Sequence, residues 1–277
     1  MKAALCLHGY FGTLSTGDYS TVIGGIYHLK SKVFSLCESV DVFVHCWQPE
    51  HKKQVYKFYS PVKSIFEEQI NFDKVCNENN INQDYFDHGF PRSKTMYKNA
   101  NASRILSFYY SRCQSIKIKE EYEKENNFEY DWTITTRFDI GQRGGGEVNQ
   151  LKFNPLLDTD FLYTTHWNQM NAGYGDMWFF GSSQIMNKYS KIYQNGLDDF
   201  KPNSEYEKCL TSGWFDSNVF NVFDSSDPRQ FTNELEKPLE ERSQNLMKFP
   251  KWRVTDSHLH HKWFCKKEGL YEKTRWL

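Results

Sequence analysis

The chain has 277 residues, 39% of them hydrophobic, which is enough to bury one large core or two small ones. Its 34 basic and 35 acidic residues leave a formal net charge of -1, so there is no electrostatic case for a nucleic-acid partner. Aromatic residues reach 17%, a richness that serves core packing first and the stacking of sugar rings second.

In chain order, Ala3 to His8 reads as a buried strand ending in the turn His8-Gly9-Tyr10-Phe11-Gly12. Thr21 to Leu36 alternates at helical spacing, and Val40 to Trp47 (VDVFVHCW) is a second buried strand. Tyr56 to Glu68 contains a third strand in VKSIFEE. Continuously apolar strands alternating with helices predict an α/β fold with a mostly parallel sheet between helices. Residues 71 to 95, rich in Asn, Asp and Gln, read as an exposed loop. A long helix follows from about Asn99 to Asn126, its apolar stripe running through Ile105, Leu106, Tyr109, Cys113, Ile116 and Tyr122. Tyr130 to Ile140 (YDWTITTRFDI) is a strand ending in charge, and Gly144-Gly145-Gly146 marks a mobile loop. Phe161 to Thr165 is a further strand, and NAGYGDMWFFG is a turn leading into an aromatic one. Ser183 to Tyr193 reads as a helix capped by Ser182 or Ser183. Beyond Lys201 lie an apolar helix near Trp214 to Val222, a polar loop from Ser225 to Gln244, and the stretch DSHLHHKWFCKKEG. No repeat is present. The expected organisation is one domain over 1–277, with the glycine loop dividing a half at 1–143 from a half at 144–277.

The sharpest local signal is Thr136-Arg137-Phe138-Asp139. A carboxylate just past a strand sits where parallel sheets bind ligands. A hard divalent cation takes oxygen ligands of this kind together with phosphate oxygens. Arg137, two residues earlier, shares a side of the strand with Asp139. A plain structural ion pair at a strand end accounts for the same two residues.

The segments ALCLHGYFG, VDVFVHCW, YSP…IFEE, NANASRILSFYYSRCQSIKIKEEYEKENNFEYDWTITTRFDI and NAGYGDMWFFGSSQIMNKYSKIY, in that order, resemble glycosyltransferase-like proteins of bacterial surface-polysaccharide loci and large DNA viruses. The resemblance spans roughly residues 3 to 222. It implies a GT-A fold, a nucleotide-diphosphate-sugar donor, a glycan or other hydroxyl acceptor, and a divalent metal such as Mn²⁺ or Mg²⁺. The family's Asp-x-Asp tripeptide falls on Arg137-Phe138-Asp139, which keeps only the second acid; Arg137 is suited to neutralise part of the diphosphate charge. A C-terminal histidine that ligates the metal in many GT-A enzymes matches His258 or His260; a solvated polar tail is the plainer reading of both. His8, Gly9 and Tyr10 fall where GT-A proteins meet the nucleotide. Gly9 permits close backbone approach and Tyr10 offers a ring to the base. His45 and Trp47 end the second strand at the same edge, where a lone histidine also serves structure. Arg104, near a helix start, is placed either for phosphate or for solvent. Asp176, between Gly175 and MWFFG, and Asp216, in GWFDSNVF, are the two candidates for taking a proton from the acceptor hydroxyl. Asp176 is equally suited to hold sugar hydroxyls. Asn171 and Trp178 would line a sugar pocket, Trp178 unless it is core.

Other enzyme classes fit less well. A haloacid-dehalogenase-like phosphotransferase needs an Asp directly after the first strand, where this chain has His8 and Gly9. Neither GxxxxGK[ST] nor GxSxG is present. A degenerate transferase that only binds a nucleotide sugar or carbohydrate is the main alternative. Seven cysteines with no CxxC pair favour a reducing, cytoplasmic setting. The start, MKAALCLHGYFGT, turns polar too soon for a signal peptide, and no apolar run has the length of a membrane span.

Overall fold

The computed structural model describes residues 1–12, 20–81, 101–141, 149–165, 174–212, 214 and 257–277. Seven strands form one sheet: β1 (Lys2–Gly9), β2 (Ser39–Cys46), β3 (Lys63–Phe66), β4 (Trp132–Arg137), β5 (Leu162–Thr164), β6 (Trp178–Gly181) and β7 (Thr274–Trp276). Their order is β3-β2-β1-β4-β6-β5-β7. The pairings of β1 with β2, β1 with β4, β2 with β3 and β5 with β7 are parallel. Only β6 runs against its neighbours β4 and β5. The fold is therefore α/β, with a mixed but mostly parallel sheet between helices, and strands from both halves of the chain share it.

The central strands β1, β2 and β4 are buried on both faces over most of their length because each face meets helix or loop. Ala4 and Cys6 of β1 pack into one core, and Ala3, Leu5 and Leu7 into the other. The first core lies under the long helix. The second lies under α1 (Ser20–Leu29), whose last turn gives way to a π-helical turn at Lys30–Phe34 rather than continuing as α-helix to Leu36. Gly25 of α1 is where helix and sheet come closest. A Cβ there would run into the Phe138 carbonyl oxygen, so no larger residue fits without moving the helix. The segment starting at Tyr56 is helical before it is strand: α2 (Lys52–Tyr59) ends at Ser60, with φ of 44°, ahead of β3.

The stretch at 71–95 is not simply a loop. Asn71 caps α3 (Phe72–Glu78), accepting from Lys74 N at 3.0 Å, and Phe72 and Cys76 are buried one turn apart. Residues 82–95 lie outside the described residues. The long helix α4 (Ala102–Asn126) is capped by Asn101, which accepts from Arg104 N at 3.1 Å, and stops at Asn127, with φ of 52°. Next come α5 (Ser183–Tyr189), α6 (Ile192–Asp199), α7 (Glu205–Thr211) and α8 (Ser257–Lys267). The single helix expected over Ser183 to Tyr193 is thus two, broken at Ser190-Lys191. Ser182 occupies the N-cap position of α5 without a side-chain bond. The glycine loop at 144–146, the Ser225 to Gln244 loop and all of Trp214 to Val222 except Trp214 lie outside the described residues. Among the described residues no helix is long and apolar enough to cross a membrane.

Candidate functional site

β1 is the strand from which the sheet grows in both directions, towards β2 on one side and β4 on the other. Crevices that bind ligands in open α/β sheets form at the carboxyl ends of strands where the order reverses in this way. Here that rim carries His45 opposite His8, and His8 opposite Arg137, in register across β2, β1 and β4. The reversed β6 starts where β4 ends, with Thr136 opposite Trp178. The residues leading into β6 therefore reach the same rim. Thr136 Oγ1 donates to the Met177 main-chain oxygen at 3.1 Å, and Arg137 Nη1 lies 3.8 Å from Met177 Sδ.

Arg137 and Asp139 form a two-pronged pair, Nε to Oδ1 at 2.8 Å and Nη2 to Oδ2 at 2.5 Å. Their side chains are 42% and 26% exposed, so the pair sits at the surface of the rim. Both carboxylate oxygens are engaged. This is the ion pair that the strand-end residues suggested, placed at the edge where a ligand would meet it.

Gly9 holds a φ of +97°, a conformation that favours glycine, and nothing lies within 4 Å of where its Cβ would be. Its N–H donates to Ser111 Oγ at 2.8 Å. Ser111 Oγ is also 2.7 Å from His45 Nδ1, and His45 Nε2 is 2.9 Å from Glu67 Oε1. The carboxylate accepts from Nε2–H, so Nδ1 is the acceptor of the Ser111 hydroxyl. Burial holds the His45 imidazole below its usual range, against the pull of Glu67. Tyr10 is partly buried; its hydroxyl donates to Gln69 Oε1, and Gln69 Nε2 donates to Ser107 Oγ at 2.8 Å. Trp47 is core, stacked on Tyr110 at 5.5 Å.

The centre of the cluster is a residue that sequence reasoning passed over. Arg112 of α4 is fully buried. Its Nε donates to His8 Nε2 at 3.3 Å, and Nη1 lies 2.7 Å from the Tyr189 hydroxyl and 2.9 Å from His261 Nε2. Nη2 donates to the Asp176 main-chain oxygen. The guanidinium faces the Phe108 ring at 4.2 Å. Arginine can only donate, so His8 and His261 must both accept at Nε2. His261 Nδ1 accordingly donates to the Ser257 main-chain oxygen at 2.5 Å. His8 then carries its proton on Nδ1, which has no partner among the described residues. Burial, then the Arg112 charge, push both imidazoles well below their usual range.

Asp176 is half-buried, with Ser257 Oγ donating to its Oδ2 at 3.1 Å. Burial alone would raise its carboxyl; the charges at His258, Arg112 and Arg137 and the Ser257 bond outweigh it and hold the group below the usual carboxylate range. His258 Nδ1 donates to the Tyr174 carbonyl oxygen at 2.7 Å. His260 faces elsewhere, its ring nitrogens 3.1 Å from the Tyr109 hydroxyl and 3.2 Å from Asp199 Oδ2 in the core. Arg104 is exposed in the first turn of α4, two turns before Arg112. Trp178 is core, fully buried with Phe180 and Trp132. Asp216 and Asn171 lie outside the described residues.

Among the described residues the donor set does not fit a divalent ion. Asp139 is paired to Arg137, His260 is in the core, and among the described residues no three His, Cys, Asp or Glu side chains gather to hold a metal. No protein-family model and no curated protein matches the chain.

The neutral imidazoles make the fold acid-sensitive. His8, His45, His260 and His261 all have folded values depressed by burial. An unfolded imidazole titrates near about 6.5, so the unfolded chain binds more protons below that pH. Stability is fully present above it, declines as pH falls, and is gone once pH has passed through the folded values. The thermal midpoint is expected to fall steadily from about pH 7.5 to about pH 5. A flat midpoint over that range contradicts the neutral assignment.

Proposed function

We propose that the chain is a glycosyltransferase that moves a sugar from a nucleotide-diphosphate donor to a hydroxyl acceptor, a glycan among the candidates. The observation that carries this reading is the meeting of Gly9, Arg137 and Asp139 at the carboxyl ends of β1 and β4, where the strand order reverses. The resemblance of the chain to GT-A-type transferases points to the same edge.

In this reading the diphosphate lies over the rim. Gly9 contributes an open backbone rather than a donor, since its N–H is held by Ser111. With its Nε and Nη2 edge held by Asp139, Arg137 presents the outer Nη1 and Nη2 edge of its guanidinium to phosphate. Asp139 aims that edge. As the bond to the sugar breaks, negative charge grows on the departing diphosphate, and a fixed guanidinium stabilises it. Asp176 stands across the rim. A carboxyl held below its usual range is a weak proton acceptor, which favours Asp176 as a ligand of sugar hydroxyls over a role as base. No step is assigned to a metal.

The test is donor turnover. The protein is incubated with a panel of UDP- and GDP-sugars, with Mn²⁺, with Mg²⁺ and with EDTA, and nucleotide release is measured. Release that needs the protein supports the transferase. Binding without release, unchanged by EDTA, supports the second reading, a protein that holds a nucleotide sugar or carbohydrate without transferring it. The Arg137–Asp139 pair favours that alternative over a metal-assisted transferase, because each carboxylate oxygen already accepts from the guanidinium. Absence of both binding and release removes both readings.

A further inference from the structure

A fully buried guanidinium needs a reason. Taking a charge out of water is expensive, and an apolar side chain of similar volume usually fills such a place with equal or better stability. Arg112 has no carboxylate oxygen among its partners in the described residues; it is held by two imidazoles, a phenol, a peptide oxygen and an aromatic face. Packing alone therefore does not account for it.

What the guanidinium achieves is a junction. Its Nε reaches the end of β1 through His8, and its Nη1 reaches α5 through Tyr189 and α8 through His261. Its Nη2 takes the peptide oxygen of Asp176, at the point where the chain enters β6. His261 is fixed in turn by the Ser257 main-chain oxygen, and the Ser257 hydroxyl holds the Asp176 carboxylate. Arg112 thus grips the Asp176 backbone directly and steadies its side chain through α8. Three stretches far apart in sequence, the end of β1, the segment from Asp176 to α5, and α8, meet at one planar fork with fixed angles.

We propose that Arg112 is a positioning residue for Asp176: from the middle of α4 it sets where that carboxylate stands at the rim, and so how the sugar of the donor is held. The role in sugar binding rests on the transferase reading. The effect on Asp176 does not.

The experiment uses the full chain with Arg112→Lys and Arg112→Met, and two readouts. The first is donor kinetics with whichever nucleotide sugar the panel identifies. Arg112→Lys keeps a charge but loses the fork, and is expected to raise KM for the donor about tenfold with a smaller change in kcat, as Asp176 drifts from its place. The second is the carboxyl ¹³C titration of Asp176, assigned by comparison with Asp176→Asn. In Arg112→Met one of the charges that hold the carboxyl ionised is gone, so the midpoint moves to higher pH. Arg112→Lys keeps the charge, so a moved midpoint in it reports a displaced carboxylate rather than a lost charge, and it carries both readouts should Arg112→Met fail to fold. An Asp176 midpoint and environment unchanged in a folded variant overturn the assignment. If the wild-type protein turns over no donor, the transferase reading falls, and the titration still decides whether Arg112 positions Asp176. A moved midpoint with KM unchanged overturns the part concerning the sugar.

Discussion

Asp139→Ala is expected to lower donor turnover by about 10²- to 10³-fold while leaving the protein folded. The loss follows from what the carboxylate does to Arg137. The two-pronged bond fixes the guanidinium in one plane at the rim, and without it the side chain is free to swing into solvent. A fork that must find its place during the reaction loses the advantage of being already aimed. The fold should barely notice, because the pair is partly exposed and such pairs contribute no more than about 1 kcal/mol. Asp139→Asn, which keeps the shape and one acceptor, should fall between alanine and wild type. The checks are nucleotide release at saturating donor and the thermal midpoint of each variant. A fully active Asp139→Ala protein would remove the central residue of the transferase reading.

The largest effect on stability is expected elsewhere, from Glu123. Lys119 and Glu123 are fully or almost fully buried one turn apart on α4, with Nζ 3.0 Å from Oε2. Lys119 also reaches Ser183 Oγ at 2.7 Å and Asn187 Oδ1 at 2.6 Å, while Glu123 accepts from Ser183 Oγ at 2.8 Å and from Tyr130 N at 2.9 Å. The network joins α4 to α5 and to the chain entering β4. Glu123→Ala strands a buried ammonium and one peptide N–H, which should cost about 3–5 kcal/mol. Lys119→Met combined with Glu123→Leu removes both charges and should recover most of that loss. Urea denaturation of the two variants measures this. Equal losses in both would mean that the shape of the network, not its charge, holds the helices together.

The parts of the fold legible in the sequence were those where one chemical pattern had one outcome. β1 and the second half of β2 carry apolar residues on both sides, and only burial between two layers explains such runs. The long helix α4 announced itself by its stripe. Elements whose identity depends on distant partners were not legible. β7 is three residues, Thr274–Trp276, made a strand only by pairing with β5. α3 was hidden by its surroundings of Asn and Asp, although Asn71 as cap with Phe72 and Cys76 a turn apart carried the signal. The break at Ser190-Lys191 lay inside an unbroken helical pattern.

The site divided in the same way. Arg137 and Asp139 could be placed at the sheet edge because a strand's end is a local property. The partners of Arg112 lie 104, 77, 149 and 64 residues away, and no spacing rule connects them. One sign was available: Arg112 falls on the stripe of Ile105, Tyr109 and Ile116, as do Lys119 and Glu123. A charge on the apolar face of a helix has to be matched by something buried with it. His258 and His260 could not be told apart by composition. The turn of α8 sends the first to Tyr174 beside Asp176 and the second to Asp199 in the core.

The thiols of this protein turn its architecture into a clock. All seven cysteines are unpaired, and six of them are buried: Cys6, Cys46, Cys76, Cys113, Cys209 and Cys265. Burial pushes Cys6 and Cys113 up to about 12, and Cys46 and Cys76 up to about 11, so almost no thiolate exists in the native state. Even the half-exposed Cys37 is raised to about 11. Cys6, Cys76 and Cys113 lie on the α4 side of the sheet and Cys46 on the α1 side. A thiol-alkylating reagent at neutral pH therefore reaches the six buried cysteines only when a layer lifts away, and the order in which these positions are modified records which layer opens first.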